Sequence, residues 1–375
     1  MCHLQTKHCE SRSNKRYRNL ALPRLLILSL VLIFVVVGFG ATEAEAQQFA
    51  YVANCFSNNV SIVNTASNSV VNTVAVGNCP YGIAITPDSS FVYVVNNESD
   101  NVSVIDTASN TVVTTIPVGH NPAGAAISPN GTLLYVTNGA SASVAIINTA
   151  TNTVVTTVSV NACPSRVAVT PDGAFAYVTN QCSGNVSVIA TASNTVVDTI
   201  TVGVNPYGID ITPDGAFAYV VNSSNPGTVS VIDLVDNTVV ATITIGSFPQ
   251  QVTITPSGAF AYVANNGNVS VIATATNTVV ATIAVGANPQ AVAFTPNGAF
   301  AYVTNEGSDN VSVIDTSSNA VIATIPVGDR PTVMVLTRNA SPTSKDQCKN
   351  GGYRSFTNPT FKNQGECVSF VQHHQ

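Results

Sequence analysis

Few side chains in this 375-residue chain are charged, and charged side chains are the usual candidates for catalysis or ion binding. Between residues 47 and 337 the only lysine or arginine residues are Arg166 and Arg330, against fourteen acidic residues, so this stretch has a formal net charge of −12. So few basic groups cannot neutralise a phosphate backbone, which excludes nucleic acid as an expected partner.

A second group of candidates consists of amide and aromatic side chains. They recur in each repeat at the connection between two blades, just before or at the start of the predicted first strand. Such groups hydrogen-bond to or stack on a sugar or an extended peptide, but they supply little acid–base chemistry. The alternative for any single Asn there is that it only ends a strand and shapes a turn. The residues proposed to bind a ligand are Tyr81, His120, Arg166, Tyr207, Asp210, Gln250, Gln290 and Arg330.

Metal and cofactor sites are not expected from the sequence. A metal needs several converging ligands, and His120 is the one histidine between residues 47 and 337. The acidic segments 97–101 and 306–310 could offer oxygen ligands to Ca²⁺, but they lack the spacing of a calcium loop, so solvated turns are favoured. We therefore assign no catalytic residue, no metal ligand and no cofactor.

The elements that must position these residues are set by a repeat. The stretch "TPDGAFAYVTN" at 170–180 recurs nearly unchanged at 212–222 and 295–305. The tyrosine of its Tyr-Val-x-Asn motif occurs seven times, at spacings of 40 to 43 residues: Tyr51, Tyr93, Tyr135, Tyr177, Tyr219, Tyr262 and Tyr302. A period of about 40 residues is typical of propellers and solenoids.

Each repeat predicts four short strands. Around Tyr177 these are 166–170, 174–180, 185–190 and 195–203, rich in Val, Ile and Thr and separated by polar turns. Such a sheet has apolar residues on both faces and needs neighbours on both sides. We predict an all-β, seven-bladed propeller of four-stranded antiparallel blades over residues 47–337. The chain starts at a second strand (49–54) and ends at an orphan first strand (332–337), so the two ends should share one blade and close the ring.

The repeated words "AYVTN", "NVSVID", "TVVTTIPVG" and "GIAITPD" resemble the YVTN family of β-propeller repeat proteins, which includes surface-layer-like bacterial proteins. The resemblance covers residues 48–337. It implies an extracytoplasmic location and a binding or surface role, without one defined activity. WD40 repeats are disfavoured because the chain has no Trp. Propeller lactonases resemble it in fold, but no concentrated set of catalytic ionisable groups is evident.

The two ends of the chain differ from the repeat. Residues 1–46 have the parts of a secretory signal peptide: a basic leader, an apolar run at 25–39 and Ala44-Glu45-Ala46. A retained anchor is the alternative, but the run is shorter than the ~20 residues of a membrane span. The predicted location is secreted or extracytoplasmic, in the periplasm or at the cell surface. Residues 338–375 form a basic tail, read either as an attachment hairpin or as a cap without a ligand.

Six cysteines remain after residue 46, and an even number in an exported chain favours disulfides. Cys163 and Cys182 should lie opposite each other across a hairpin. Cys55 and Cys79 should join adjacent blades, and Cys348 and Cys367 should close the tail.

Arg166 and Asp210 stand where other repeats have Gly and Ala, in the first strands of neighbouring blades. One hypothesis is that they form an ion pair that marks a functional channel mouth; the alternative is a purely structural pair. The function favoured by the sequence is a non-enzymatic, secreted recognition propeller that binds a glycan, a peptide or a cell-envelope protein at the mouth formed by the inter-blade loops. The alternatives are a lactonase-like hydrolase and a structural surface-layer component. The oligomeric state is left open.

Overall fold

The repeat folds as predicted. The computed structural model describes residues 48–337, which form seven four-stranded antiparallel sheets arranged as a seven-bladed β-propeller. The predicted signal peptide (1–46), the tail (338–375) and the Cys348–Cys367 bond lie outside the described residues. No helix within residues 48–337 is long and apolar enough to cross a membrane.

Each blade is a simple meander from an inner strand to an outer strand. Blade 1 consists of β28 (Pro331–Leu336), β1 (Phe49–Asn54), β2 (Asn59–Asn64) and β3 (Ser69–Ala75). Blade 2 consists of β4 (Pro80–Ile85), β5 (Phe91–Asn96), β6 (Asn101–Asp106) and β7 (Thr111–Pro117). Blade 3 consists of β8 (Pro122–Ile127), β9 (Leu133–Asn138), β10 (Ser143–Asn148) and β11 (Thr153–Ser159). Blade 4 consists of β12 (Pro164–Val169), β13 (Phe175–Asn180), β14 (Asn185–Ala190) and β15 (Thr195–Thr201), with a 3₁₀ turn at Gln181–Ser183.

The remaining three blades follow the same order. Blade 5 consists of β16 (Pro206–Ile211), β17 (Phe217–Asn222), β18 (Gly227–Asp233) and β19 (Thr238–Ile245). Blade 6 consists of β20 (Val252–Ile254), β21 (Phe260–Asn265), β22 (Asn268–Ala273) and β23 (Thr278–Ala284). Blade 7 consists of β24 (Pro289–Phe294), β25 (Phe300–Asn305), β26 (Asn310–Asp315) and β27 (Ala320–Pro326). The predicted strands of blade 4 agree with the observed bounds to within two residues at every end.

The two faces of the ring carry different connections. Because the strands alternate in direction, the turns after the first and third strands lie on one face, which we call the turn face (residues 86–90 and 107–110 in blade 2). The loops after the second strand and the connections between blades lie on the other, which we call the loop face (97–100 and 118–121). Gly173 has φ +74° in its turn, a conformation that glycine adopts without a steric penalty.

The hydrophobic core lies between the blades. Within residues 48–337 the buried apolar side chains form seven clusters, and each draws on two neighbouring blades. The tyrosine of every Tyr-Val-x-Asn motif is almost fully buried in one of them. A single blade therefore cannot bury its own faces, which explains why the repeat closes into a ring.

The repeat tyrosines also connect the blades through their hydroxyl groups. In six blades the hydroxyl donates to the Oδ1 of an Asn in the outer turn of the next blade. These asparagines have positive φ, which Asn tolerates better than most residues. The pairs are Tyr51–Asn110, Tyr93–Asn152, Tyr177–Asn237, Tyr219–Asn277, Tyr262–Asn319 and Tyr302–Asn68.

The seven inner strands surround the ring axis, and each contacts the next. A Cβ on Gly208 would lie 2.6 Å from the carbonyl oxygen of Gln250 in the next blade, so this close approach requires glycine. The ring closes as predicted, because β28 pairs with β1 in an antiparallel register. The predicted Cys55–Cys79 and Cys163–Cys182 disulfides are both present; the first joins blades 1 and 2, and the second lies within blade 4.

Candidate functional site

A cavity of about 580 Å³ occupies the centre of the ring. It is lined mainly by Gly, Ala, Val and Ile from the inner strands, because those strands present small residues to the axis. The two charged side chains among its lining residues are Arg166 and Asp210. The lining continues to Pro256 and Pro296 in two inner turns, so the cavity extends to the turn face.

The loop-face end of this channel is bridged by three side chains. Tyr81 of blade 2 and Tyr207 of blade 5 lie across the axis from each other, and their hydroxyl groups are 2.5 Å apart. The Arg166 guanidinium lies over both rings, with its Cζ 5.0 Å from the Tyr81 centroid and 4.8 Å from the Tyr207 centroid. Each of these two cation–π contacts is worth about 0.5–2 kcal/mol. We call these residues the Tyr–Arg–Tyr bridge.

Arg166 is held by the inner strand of blade 4. Its backbone N–H donates to Thr179 Oγ1 at 3.0 Å, and Thr179 in turn donates to the carbonyl of Tyr207 at 2.7 Å. The guanidinium donates to the Tyr207 hydroxyl at 3.3 Å and to the Ser165 carbonyl at 3.3 Å. Arg166 is only 9% exposed, and no carboxylate lies within ion-pair distance of it in the described part of the chain.

Asp210 lies deeper in the channel, towards the turn face, on β16. Its carboxylate accepts the backbone N–H of Ile254 at 2.7 Å and that of Ile211 at 2.9 Å. Burial raises the pKa of the Asp210 carboxyl to about 6, and the two N–H groups only partly oppose this rise. A carboxylate with such a pKa is suited to act as a base near neutral pH.

Arg166 and Asp210 do not form the ion pair proposed from the sequence. Arg166 instead stacks on two tyrosines, and Asp210 is occupied by backbone donors. Both side chains nevertheless line the same cavity. The channel therefore contains one positive and one negative group that do not neutralise each other by contact.

The other proposed ligand-binding residues lie apart from this channel wall. His120 Nδ1 contacts Asp100 at 2.7 Å on the loop face, where both side chains are exposed. Arg330 forms an ion pair with Glu306 and lies over the Phe56 ring. Gln290 donates to the same Glu306 at 2.8 Å, whereas Gln250 donates to the carbonyl of Phe248 at 3.2 Å. The structure thus brings together Tyr81, Arg166 and Tyr207, and separately Gln290 and Arg330.

Gln251 is a channel residue that was not among those proposed to bind a ligand. It follows Gln250 and lines the cavity, and its Oε1 is buried with no hydrogen-bond partner in the described part of the chain. It takes the repeat position of Arg166 and Gly82, directly before β20, and comparison of the repeats places it beside Gln250 on the loop face. Among residues 48–337 no three His, Cys, Asp or Glu side chains lie close enough together to hold a metal ion.

Two family models match parts of the chain. A YNCE-like beta-propeller model matches residues 35–137, and a model of the 7-bladed beta-propeller lactonases matches residues 110–197. Neither match spans half of the chain. The resemblance seen in the repeats is thus confirmed as that of a β-propeller. No curated protein matches the chain significantly.

Solved structures share the propeller fold at low sequence identity. Hydrazine synthase of Kuenenia stuttgartiensis is 24% identical, with a TM-score of 0.64 over 68% of this chain and 88% of that chain. A periplasmic gluconolactonase of Pseudomonas aeruginosa is 19% identical, with a TM-score of 0.67 over 78% and 99%. A putative 6-phosphogluconolactonase of Bacteroides uniformis is 17% identical, with a TM-score of 0.68 over 77% and 99%.

These comparisons correct the functional expectation. The sequence favoured a recognition propeller without catalysis and kept a lactonase-like hydrolase as an alternative. One matching family model is that of the lactonases, and similar structures carry gluconolactonase and 6-phosphogluconolactonase names. The prediction of a non-enzymatic recognition protein is therefore wrong, and the comparisons favour the hydrolase alternative.

Proposed function

We propose that this protein hydrolyses a lactone in the central channel of the propeller. The proposal rests on the lining of that cavity, where Asp210 has a raised pKa and the buried Arg166 guanidinium has no carboxylate partner among residues 48–337. Ester hydrolysis requires a base and a cation in one cavity, because the base activates water and the cation stabilises the oxyanion. The lactonase family match supports the same reaction class.

The proposed reaction uses each charge once. The Asp210 carboxylate accepts a proton from a water molecule as its oxygen attacks the lactone carbonyl carbon. The negative charge that develops on the carbonyl oxygen is stabilised by the Arg166 guanidinium. The tetrahedral intermediate then collapses, the ring C–O bond breaks, and the proton passes from Asp210 to the departing alkoxide. The product is the open-chain hydroxy acid, and Asp210 returns to its starting state.

The Tyr–Arg–Tyr bridge holds Arg166 in place for this role. Burial raises the pKa of Tyr207, so its hydroxyl remains protonated near neutral pH. The two rings fix the plane of the guanidinium by stacking, and the Tyr207 hydroxyl accepts one of its N–H groups. The Ser165 carbonyl accepts a second N–H group, and the remaining N–H groups are the ones proposed to bind an oxygen atom in the cavity.

We also propose that the ring acts outside the cytoplasm. The two disulfides and the similarity to a periplasmic gluconolactonase support this location. Assignment to the YVTN family stays a prediction, supported by the Tyr-Val-x-Asn motif that recurs in the blades.

A lactone hydrolysis assay tests the proposed function. Purified chain beginning at Gln47 is mixed with a panel of five- and six-membered lactones, and acid release is followed at constant pH. We expect Asp210→Ala to lower kcat/KM by about 10²–10⁴, the usual contribution of a general base. In the parent, kcat/KM should fall below about pH 6, because Asp210 must be ionised to accept a proton.

Matched variants separate chemistry from damage to the fold. Asp214→Ala removes a carboxylate from a turn four residues away, and Arg330→Ala removes the arginine that lies outside the cavity. Both should keep nearly full activity, whereas Arg166→Ala should lose most of it. Absence of lactone hydrolysis by the parent, or equal activity of the Asp210 and Asp214 variants, would reject the proposed function.

A further inference from the structure

The charges around the channel indicate which lactones can enter it. The Tyr–Arg–Tyr bridge spans the loop-face end, whereas the cavity lining reaches the inner turns at the opposite end. A substrate therefore approaches Asp210 and Arg166 from the turn face. This is the reverse of the sequence-based expectation, which placed the ligand at the mouth formed by the inter-blade loops.

The turn face carries negative charge without a described positive counterpart. Seven aspartates lie in or directly before its turns, and no Lys, Arg or His of residues 48–337 does so: the seven are Asp88, Asp106, Asp172, Asp214, Asp233, Asp236 and Asp315. Hydrogen bonds from the Thr170 hydroxyl and the Ala174 N–H hold the pKa of Asp172 below its usual value. Equivalent bonds from Thr212 and Ala216 do the same for Asp214, so both stay ionised at neutral pH.

The tail at 338–375 has too few basic groups to reverse this balance. Residues 338–375 carry five basic side chains and two acidic ones, so even all of their basic groups are fewer than the seven aspartates. A face with one sign of charge at the mouth of a cavity repels ligands of the same sign and slows their association.

The charges that line the cavity cancel, so the cavity suits an uncharged ligand. Its lining contributes one cation and one anion, Arg166 and Asp210, and the rest is mostly apolar. A phosphate or carboxylate on the substrate would bring additional negative charge into the channel. Arg166 is the single cation that the described residues place there, and the proposed reaction uses it for the carbonyl oxygen. Burial of an uncompensated charge is strongly unfavourable.

We propose that the channel selects uncharged lactones and discriminates against lactones that carry a phosphate or carboxylate group. This inference rests on the proposed function, since it names the substrate class of the same site. Three observations support it: the Tyr–Arg–Tyr bridge spans the loop-face end of the channel, seven aspartates lie on the turn face, and Arg166 is the one cation among the described residues that line the cavity.

The test compares one lactone with and without a charge. The probes are glucono-δ-lactone and its 6-phosphate, which have the same ring and the same scissile bond. At low ionic strength we expect kcat/KM to be at least tenfold higher for the uncharged lactone, and added salt should narrow the difference by screening the face. An equal or higher kcat/KM for the 6-phosphate overturns the inference while leaving the proposed function standing.

Charge variants show whether the turn face causes the selectivity. Asn occupies the positions of Asp172 and Asp214 in blades 3 and 7, as Asn130 and Asn297, so Asp172→Asn/Asp214→Asn should fold. We expect it to raise kcat/KM for the 6-phosphate severalfold and to leave the uncharged lactone unchanged. Asp100→Asn/Asp309→Asn removes the same charge from the loop face, where Asn58 shows that Asn is tolerated, and should change neither rate.

Binding of non-hydrolysable lactams separates the two proposals. Calorimetry with gluconolactam and its 6-phosphate measures selection without chemistry. Tighter binding of the uncharged lactam than of its 6-phosphate, without hydrolysis of either lactone, rejects the proposed function and supports the charge inference. Binding of neither lactam, or binding of the phosphorylated lactam that is equal or tighter, overturns the inference.

Discussion

Asp210 and Arg166 are the two positions at which the inner strands depart from small, uncharged residues by adding a charge. The partners that they take were not evident from the sequence, which suggested that the charges pair with each other. Tyr81 and Tyr207 belong to blades three steps apart, and they meet over Arg166 only because the ring brings opposite inner strands together. A contact across the axis depends on the closed fold, so the repeat alone could not reveal it.

Asp210 should also make stability depend on pH. Its pKa is about 6 in the folded protein and about 3.9 in an unfolded chain. The folded state therefore binds the proton more tightly, and the contribution of Asp210 to stability falls as pH rises from about 4 to about 6. Urea unfolding of the parent and of Asp210→Ala should show the variant gaining relative stability across this window, by roughly 2 kcal/mol.

The Asp214→Ala variant should show the opposite dependence of stability on pH. Hydrogen bonds from Thr212 and Ala216 lower the Asp214 pKa, so its carboxylate stabilises the folded protein above the unfolded-state pKa. That contribution is lost as pH falls through the lower folded-state value. For Asp210, a difference in unfolding free energy between the parent and Asp210→Ala that stays constant from pH 4 to pH 7 would show that the pKa of the Asp210 carboxyl is not raised.

At the scale of the elements, the tyrosine of each repeat performs two tasks. Its ring fills the core between blades, and its hydroxyl binds an Asn in the next blade. The sequence predicts that these tyrosines recur on a strand, but not that they reach the next blade's turn. Blade 3 is the exception, because among residues 48–337 neither the Tyr135 hydroxyl nor the equivalent acceptor in blade 4, Asn194 Oδ1, has a hydrogen-bond partner.

This exception gives a matched pair of substitutions. Tyr93→Phe removes a hydroxyl that donates to Asn152 Oδ1 at 2.9 Å and leaves that oxygen without its donor. We expect it to lower the free energy of unfolding by about 1 kcal/mol. Tyr135→Phe removes an unpaired hydroxyl, so its effect should stay within about 0.5 kcal/mol. Chemical denaturation measures both, and equal losses would show that the hydroxyl bonds do not connect the blades.

Most strands could be predicted because the repeat states the same local pattern seven times. The inner strand of blade 6 is the main irregularity, since β20 spans only Val252–Ile254. At the opposite end of this strand, which is not shortened, the Ile254 N–H donates to the side chain of Asp210 in the neighbouring blade. The substitution at residue 210 was visible in the sequence, but its hydrogen bond to the next blade was not, because the repeat describes one blade at a time.

At the scale of the whole molecule, stability depends on closing the ring with a strand from the far end of the chain. β28 pairs with β1, and Thr332 donates to the carbonyls of Ala53 and Pro80 in blades 1 and 2. On the other side, Thr304 of blade 7 donates to the carbonyl of Thr332. Strand β28 therefore contacts blades 2 and 7 as well as the other strands of blade 1.

Truncation should reveal this closure. A chain that ends at Thr337 keeps β28 and should unfold in one cooperative transition, whereas a chain that ends at Gly328 lacks it. The shorter chain leaves the β1 edge unpaired and opens the channel between blades 7 and 2, so we expect a broad transition and aggregation. A synthetic peptide of residues 329–337 should restore the cooperative transition, because it supplies the missing inner strand. If the shorter chain unfolds as cooperatively as the longer one, β28 is dispensable and the ring is held by the interfaces between blades alone.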